Sequence, residues 1–321
     1  MLSEVISLRG LSVFDAHCDT IFRCLKTGQG LASNQGMISL DRIPDKFRRY
    51  CQFFALFSNC ARPDHPTYEE LLSCFRKELA RNASGIAQCR CGEEAASANR
   101  EGKIAAFLTV EGGELLDCDP DRLEQAAEDG VVAINLTWNH PNLLSGSCRE
   151  EADRGLSDVG RRFVQKMDAL RILPDVSHLS DAGFWDVTEV TCGPIIASHS
   201  NARAIHHHPR NLTDEQITAI IKSGGVIGLN FYKEFVGLGQ NFDAVYAHLD
   251  HILSLGGASC AALGGDWDGC DTIDALPSIE YLGDFFEYLL RRNCREEILE
   301  DVFFHNLMRV VNVHELCKHP K

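Results

Sequence analysis

The stretch FDAHCDT, residues 14–20, ends a short apolar segment and places a histidine and an aspartate two positions apart. Residues 11–15 are predicted to form a strand, and in a strand residues i and i+2 point to the same face. His17 and Asp19, at the carboxyl end of this strand, are therefore predicted to point in the same direction. An imidazole nitrogen and a carboxylate oxygen placed in this way suit a divalent transition metal such as zinc. On these residues alone a second interpretation stays open: a core histidine, followed by an aspartate that caps the next helix.

Seven further segments have the continuous apolar composition of strands that are buried on both faces. They are residues 51–58, 103–110, 131–137, 171–177, 194–198, 225–230 and 260–265. Helical sequence follows each strand, and the predicted helices are residues 68–99, 121–129, 157–170, 180–190, 213–222, 242–255, 279–292 and 295–314. Because no change in composition marks a linker, residues 1–321 are predicted to be a single domain with C-terminal helices. Eight strand–helix units fit a (β/α)8 TIM-type barrel better than an open doubly wound α/β sheet.

Composition and charge exclude several classes of partner. The 321 residues are 45% hydrophobic and 24% charged, with a net charge of −15 and no basic stripe, which disfavours nucleic acid and anionic membranes as partners. There is no apolar run of transmembrane length, the N-terminus does not resemble a signal peptide, and the C-terminus does not resemble a lipid-anchor signal. Fourteen scattered cysteines are then expected to be reduced thiols of a soluble, cytoplasmic protein.

The common nucleotide-binding and serine-hydrolase motifs are missing from the sequence. No strand leads into G-x-G-x-x-G, and neither the P-loop motif nor the G-x-S-x-G nucleophile elbow occurs. Hydrolase chemistry based on a nucleophilic serine therefore gets little support.

Polar side chains follow seven of the eight predicted strands. In chain order they are His17 with Asp19, Glu111, His140, His178, His199, Tyr232 and Asp266. In a (β/α)8 barrel the carboxyl ends of the strands meet at one mouth, where barrel enzymes build their active sites. So many imidazoles and carboxylates need compensation away from bulk water, and a pair of divalent ions bridged by a carboxylate such as Glu111 would supply it. A bridging hydroxide would then attack a carbonyl or phosphoryl group.

Taken together, the motifs resemble those of the zinc-dependent membrane (renal) dipeptidase family and its bacterial relatives. They are DAHCD, TVEGG, LTWNH, GLSDVG with DVSHLSD, IIASHSNAR with HPRNLTD, GLNFY and GGDWDG, and they run from residue 15 to residue 269. The resemblance implies a metal-dependent barrel, two Zn²⁺ ions per chain and dipeptidase activity.

The resemblance also implies a role for each matching residue. His17 and Asp19 would bind one zinc ion, His178 and His199 the other, and Glu111 would bridge the two. On the substrate side, His140 would meet the scissile carbonyl and stabilise the oxyanion. Arg210 would pair with the terminal carboxylate of the substrate, as suits a planar guanidinium. Tyr232 would line the same pocket, and Asp266 would transfer the proton from the attacking water to the leaving amine.

The expected substrate is a small dipeptide with a free C-terminal carboxylate, and the resemblance implies tolerance of a D-residue at that position. The resemblance also allows a homodimer. The loop that follows His140 has no aromatic residue, which predicts a different side-chain preference, and the triple histidine 206–208 is expected to be structural or to face solvent.

Two other functions stay open. One is a lactonase or cyclic amidase, although those barrels open with His-x-His and often bridge their metals with a modified lysine. The other is a non-catalytic metal-binding relative.

Overall fold

In the computed structural model, which describes residues 10–43, 47–237 and 239–316, eight parallel strands close into a barrel and a ninth short strand lies beside it. The strands are β1 Ser12–Asp15, β2 Arg49–Phe57, β3 Ile86–Gln88, β4 Ile104–Glu111, β5 Val131–Asn135, β6 Leu173–Asp175, β7 Ile196–Ala197, β8 Val226–Leu229 and β9 Ala261–Leu263. All eight strands predicted from sequence are confirmed, and so is the TIM-type barrel. The predictions about a signal peptide and a lipid anchor concern the chain ends, and residues 1–9 and 317–321 lie outside the described residues.

The order of the strands shows how the barrel closes. Around the ring it is β1, β2, β4, β5, β6, β7, β8 and β9, and every pairing is parallel. The ring is completed where Asp15 of β1 pairs with Leu263 of β9. The ninth strand, β3, pairs only with the first residues of β4. The carboxyl ends of the eight ring strands therefore share one end of the barrel.

Helices surround the ring. They are α1 Thr20–Thr27, α2 Tyr68–Arg81, α3 Gly92–Arg100, α4 Arg122–Asp129, α5 Asp158–Leu170, α6 Asp181–Val190, α7 Asp214–Ser223, α8 Lys233–Val236, α9 Phe242–Ser254, α10 Leu282–Arg291, α11 Glu296–Glu300 and α12 Asn306–Leu316. Ser157 and Thr213 cap two of these helices, since their side chains accept hydrogen bonds from backbone N–H groups in the first turns of α5 and α7. No helix in the described part of the chain is long and apolar enough to cross a membrane.

The prediction of one helix over residues 68–99 is wrong. The chain leaves α2 at Asn82, turns through Gly85, and forms β3 before it enters α3 from the extended residue Cys91. The helical composition of this region is real on both sides of the break, but β3 gains backbone hydrogen bonds along the edge of β4. The predicted helix 295–314 is also divided, because a π-helical turn, Asp301–His305, separates α11 from α12.

Apolar side chains fill the barrel interior. Phe14 lies against Phe53 and Phe107, with ring centroids 5.3 and 5.1 Å away, and Phe304 from the C-terminal helices lies 6.3 Å from Phe14. All four rings are buried. The barrel interior is thus a packed apolar core towards the end where the strands begin, and the polar side chains are gathered at the end where the strands finish. The cysteines of the described residues are free thiols, as predicted.

Candidate metal centre

The loops at the carboxyl ends of the strands enclose a cavity of about 610 Å³. The predicted site residues among its lining are Asp19, Glu111, His178, Tyr232 and Asp266. His17 and His199 lie at the floor of the same site, where they contact Glu111. The sequence-based prediction that these residues meet at one mouth agrees with their positions in the structure.

His17 and Asp19 leave β1 and turn into the mouth. The backbone N–H of His17 donates to the carboxylate of Asp15 at 3.0 Å, which fixes the turn. His17 Nε2 then lies 3.7 Å from Asp19 Oδ2 and 3.6 Å from Glu111 Oε2. His17 Nε2 and Asp19 Oδ1 are both buried and have no hydrogen-bond partner among the described residues. Since buried polar atoms are rarely left unpaired, these two atoms fit the ligand shell of a metal ion.

A second group of donor atoms lies on the other side of Glu111. The Nε2 atoms of His178 and His199 are 2.9 Å apart, and Glu111 Oε1 lies 2.9 Å from the first and 3.4 Å from the second. One oxygen of Glu111 thus faces His17 and the other faces His178 and His199. Four nitrogen and oxygen ligands that converge from two sides on a fifth, the Glu111 carboxylate, suit a pair of divalent ions such as zinc.

Hydrogen bonds to the outer ring nitrogens orient two of these histidines. His178 Nδ1 is 3.0 Å from Asn139 Oδ1, and His199 Nδ1 is 2.7 Å from Ser198 Oγ. Each contact holds the ring so that Nε2 points to the centre, which is the usual arrangement around a ligand histidine. Ser198 is held in turn by the buried carboxylate of Asp175, which accepts its backbone N–H at 3.1 Å.

The electrostatics of the site in the absence of metal match this interpretation. Burial lowers the pKa of His178 and of His199 well below its usual value, so both rings are neutral at pH 7, the form that binds metal. Burial also raises the pKa of Glu111 to about 7, and the neighbouring charges of Asp19 and Asp266 add to this effect. Burial would lower the pKa of His17, but Glu111 and Asp19 outweigh it and raise that pKa well above its usual value. The cluster therefore concentrates negative charge that a cation would stabilise.

Backbone geometry at the mouth depends on a glycine. Asp266 has a φ of 59°, and the turn that follows brings Gly269 against the carboxylates. A Cβ atom at Gly269 would lie 1.9 Å from Asp19 Oδ2 and 2.7 Å from Asp266 Oδ1. Any side chain here would push Asp19 out of position. The last position of the GGDWDG segment therefore requires glycine, because its backbone packs directly against Asp19, a proposed metal ligand.

Asp266 faces the centre from the end of β9. Its Oδ1 lies 4.0 Å from His17 Nε2, and its Oδ2 accepts a hydrogen bond from Asn230 Nδ2 at 3.0 Å. Tyr232, after β8, lines the cavity beside it. Asn230 also accepts the backbone N–H of Tyr232 at 2.6 Å, so one asparagine links the two residues.

Two predicted substrate residues lie outside the lining of the cavity. Arg210 is buried behind it, where its guanidinium donates to the His199 carbonyl at 3.1 Å and to Ser200 Oγ at 3.3 Å, 5.1 Å from the Phe235 ring. Its Nε–H is buried without an acceptor among the described residues. His140 is on the rim, 44% exposed, with Nδ1 3.1 Å from Glu150 Oε1.

The structure adds residues to which the sequence interpretation gave no role. Asp15 accepts hydrogen bonds from His17, Gln52, Gly265 and Trp267, and so holds both β1 and the loop after β9. Trp138, Arg149 and Met37 line the cavity. Asp15 lies in the DAHCD motif and Trp138 in the LTWNH motif, so the sequence could have indicated a role for both. Nothing in the local sequence distinguishes Arg149.

Two residues of the triple histidine 206–208 pack against neighbouring residues, and the third faces solvent. His208 Nδ1 accepts the backbone N–H of Arg210 at 3.1 Å, and its ring lies 4.6 Å from the Phe235 ring. His206 packs against the Gly237 backbone, and His207 is exposed.

A parallel (β/α)8 barrel with a buried histidine and carboxylate cluster at its mouth belongs to the class of metal-dependent hydrolases. Comparison with known proteins gives the family. Residues 6–321 match the sequence model of the membrane dipeptidase family, peptidase family M19, so the chain belongs to that family and is assigned as a metallodipeptidase.

Individual relatives and solved structures are similar to this chain in sequence or in fold. A Klebsiella pneumoniae protein described as uncharacterised, in the pqqA 5′ region, is 31% identical over 252 residues, which are 74% of this chain and 89% of that protein. A Rhodobacter sphaeroides metallopeptidase, solved with a phosphinate mimic of the dipeptide L-Ala-D-Ala, is 25% identical with a TM-score of 0.85, over 94% of this chain and 99% of that one. The probable dipeptidase PvdM of Pseudomonas aeruginosa shares the fold at 16% identity, with a TM-score of 0.86, over 95% of this chain and 96% of that one.

Proposed function

We propose that this chain is a two-zinc dipeptidase that hydrolyses dipeptides with a free C-terminal carboxylate and accepts a D-residue at that position. The observation that carries the proposal is the placement of Glu111, whose two carboxylate oxygens face different sets of ligands within 4 Å. His17 and Asp19 would hold one ion, and His178 and His199 the other. When bound, such ions lower the pKa of a water molecule and polarise the scissile carbonyl.

Side chains of the protein would handle the proton and the oxyanion. Asp266 would accept a proton from the attacking water and pass it to the leaving amine, while Asn230 keeps the carboxylate in place through its 3.0 Å hydrogen bond. His140 would approach the carbonyl from the rim, because its Nδ1 is tied to Glu150 and its Nε2 is left to face the substrate. The mouth encloses about 610 Å³, which suits a dipeptide.

Recognition of the carboxylate would fall to Arg210 and Tyr232. The Arg210 Nε–H is buried and has no acceptor among the described residues, which leaves a donor for a substrate carboxylate after a small movement of the side chain. The phosphinate that mimics L-Ala-D-Ala on the R. sphaeroides metallopeptidase supports a D-residue at the C-terminal position.

A lactonase or cyclic amidase is less well supported. Its typical His-x-His pair is replaced by His17 and Asp19, and the central position is occupied by Glu111 where a modified lysine would stand. A non-catalytic relative is also disfavoured, because Asp266 lies within 4.0 Å of a ligand histidine, as a proton carrier should.

Hydrolysis of a dipeptide panel tests the proposal. The panel pairs L-L, L-D and D-D dipeptides with the same compounds amidated at the carboxyl end, and the protein is used zinc-loaded and after chelation. We expect zinc-dependent cleavage of L-L and L-D dipeptides and a large loss of cleavage for the amides. Absence of cleavage by protein that carries two zinc ions would contradict the dipeptidase assignment and favour another amide or ester as substrate.

A further inference from the structure

A positively charged side chain at the mouth has no role in the reaction proposed above. Arg149 lines the cavity together with His178 and Tyr232, and it is exposed. Within the described residues its guanidinium has no hydrogen-bond acceptor and no carboxylate at ion-pair distance. The other arginine in the lining, Arg23, is different, because its Nε lies 3.6 Å from the buried carboxylate of Asp268.

The backbone of Arg149 is held in place beside the metal centre. The N–H of the preceding residue, Cys148, donates to the carbonyl of His178 at 2.8 Å. Ser147 forms a bridge with Leu179, and its hydroxyl donates to the carbonyl of Asn139 at 2.8 Å. The backbone position of Arg149 is therefore fixed, while its guanidinium can reach into the cavity.

Arg149 lies on the same side of the mouth as Arg210. Cys148, which precedes Arg149, donates its N–H to the carbonyl of His178 at 2.8 Å. The Nε2 of His178 lies 2.9 Å from that of His199, and the carbonyl of His199 accepts a hydrogen bond from Arg210 at 3.1 Å. Because Arg210 is the residue proposed for the terminal carboxylate, Arg149 is placed near the C-terminal residue of a bound dipeptide rather than near its amine.

The charges around the cavity leave Arg149 uncompensated. Asp19, Glu111 and Asp266 surround the metal centre, Asp268 faces Arg23, and Asp271 lies 3.2 Å from Lys233 Nζ. The chain as a whole has a net charge of −15, which repels an anionic substrate over distances that salt does not screen. An acidic substrate therefore needs a local cation, and Arg149 supplies one at the entrance.

We propose that Arg149 is a specificity residue that selects dipeptides with an acidic side chain, aspartate or glutamate, on the C-terminal residue. This inference rests on the proposed dipeptidase function and adds a substrate class to it. The guanidinium would pair with the side-chain carboxylate, and Arg210 would stay free for the main-chain carboxylate. The planar guanidinium suits this pairing, because two of its N–H groups can donate to the two oxygens of one carboxylate.

The test compares isosteric substrates. Values of kcat/KM are measured for Ala-Asp and Ala-Asn, and for Ala-Glu and Ala-Gln, each with an L- and a D-residue at the C-terminus. The zinc-loaded enzyme is compared with Arg149→Gln, Arg149→Lys and Arg149→Glu, and with Arg291→Gln as a matched control, because Arg291 is an exposed arginine on α10 that does not line the mouth.

We expect the wild type to prefer each acid over its amide by roughly two- to fivefold, the size of one partly exposed charge pair. The preference should vanish in Arg149→Gln, return in part in Arg149→Lys, reverse in Arg149→Glu, and persist in Arg291→Gln. Raising the salt concentration should weaken it.

Three results would overturn the proposal: no acid preference in the wild type, a preference that survives in Arg149→Gln, or an equal loss of activity for acid and amide in that variant. The last would assign Arg149 to the main-chain carboxylate or to the loop. Hydrolysis of Ala-Asn and Ala-Gln reports on the dipeptidase function separately. If no dipeptide is cleaved at all, the proposed function fails, and the acid preference fails with it.

Discussion

The Nε2 atoms of His178 and His199 lie 2.9 Å apart, and both are within 3.4 Å of the same oxygen of Glu111. The residues come from the ends of three different strands, β6, β7 and β4. Two neutral imidazoles with their nitrogens directed at one another and at a carboxylate make a poor hydrogen-bonded core but a good set of metal ligands. This relationship is the main support for a metal centre at the mouth of the barrel.

Replacement of Asp266 by asparagine should separate metal binding from turnover. The amide keeps the shape of the side chain and can still accept the Asn230 hydrogen bond through its oxygen, but it cannot carry a proton. We expect kcat to fall by about 10²- to 10⁴-fold with zinc content unchanged. Metal analysis and steady-state kinetics check this, with Asp250→Asn as a control on the exposed face of α9. Full activity in Asp266→Asn would remove Asp266 from the mechanism.

Gly269→Ala should damage the metal centre without unfolding the barrel. The added methyl group would lie 1.9 Å from Asp19 Oδ2, so this ligand must move. We expect zinc affinity to fall by about 10- to 100-fold, as for other changes that misplace a ligand. Gly85→Ala is the matched control, because a Cβ atom there meets its nearest neighbour at 3.8 Å. Equal zinc affinity in the two variants would show that the Gly269 contact does not position Asp19.

Glu150→Gln tests whether the rim carboxylate positions His140. The 3.1 Å contact between Glu150 Oε1 and His140 Nδ1 fixes which nitrogen faces the cavity. We expect kcat to fall by a few-fold with little change in KM or zinc content, because the neutral amide oxygen holds the His140 Nδ1–H more weakly than a carboxylate does, whereas substrate binding is kept. The control is Glu151→Gln, whose partner is Arg154. A rise in KM alone would point to a role in binding.

Acid stability should depend on His248. This buried ring accepts the Ala202 N–H at Nδ1 and contacts the Val236 carbonyl through Nε2, and burial lowers its pKa to about 4. Between pH 6.5 and 4 the unfolded chain binds a proton here that the folded chain does not, so stability is present above pH 6.5 and is lost as the pH falls towards 4.

The loss attributable to His248 is at most about 3 kcal/mol. In denaturant unfolding at about pH 7, 6 and 5, His248→Gln should therefore be less stable than the wild type at neutral pH, and it should lose less stability on acidification. Parallel pH profiles for the two proteins would contradict this assignment.

The sequence was informative about the ring strands and the ligands, since both depend on local pattern. Apolar runs of strand length predicted the eight ring strands, and polar residues after most of the strand ends marked the mouth. The i, i+2 relationship of His17 and Asp19 also predicted a shared direction, and in the structure both reach Glu111 or its neighbours within 4 Å.

Other features depend on contacts between distant parts of the chain. Asp15 supports the mouth through Gly265 and Trp267, about 250 positions away, and no local pattern reveals this. Strand β3 was missed because residues 68–99 have a helical composition, and only the free edge of β4 makes the strand favourable. The uncompensated charge of Arg149 becomes visible only when the partners of Arg23 and Lys233 are known.

The most direct measurement of the central claim is the activity of chelator-stripped protein against an L-Ala-D-Ala-type dipeptide as zinc is added in known amounts. We predict almost no activity before addition, and a rise that reaches its plateau at two zinc ions per chain, confirmed by metal analysis of the active protein. A plateau at one zinc ion per chain, or full activity in the stripped protein, would contradict the two-metal centre built around Glu111.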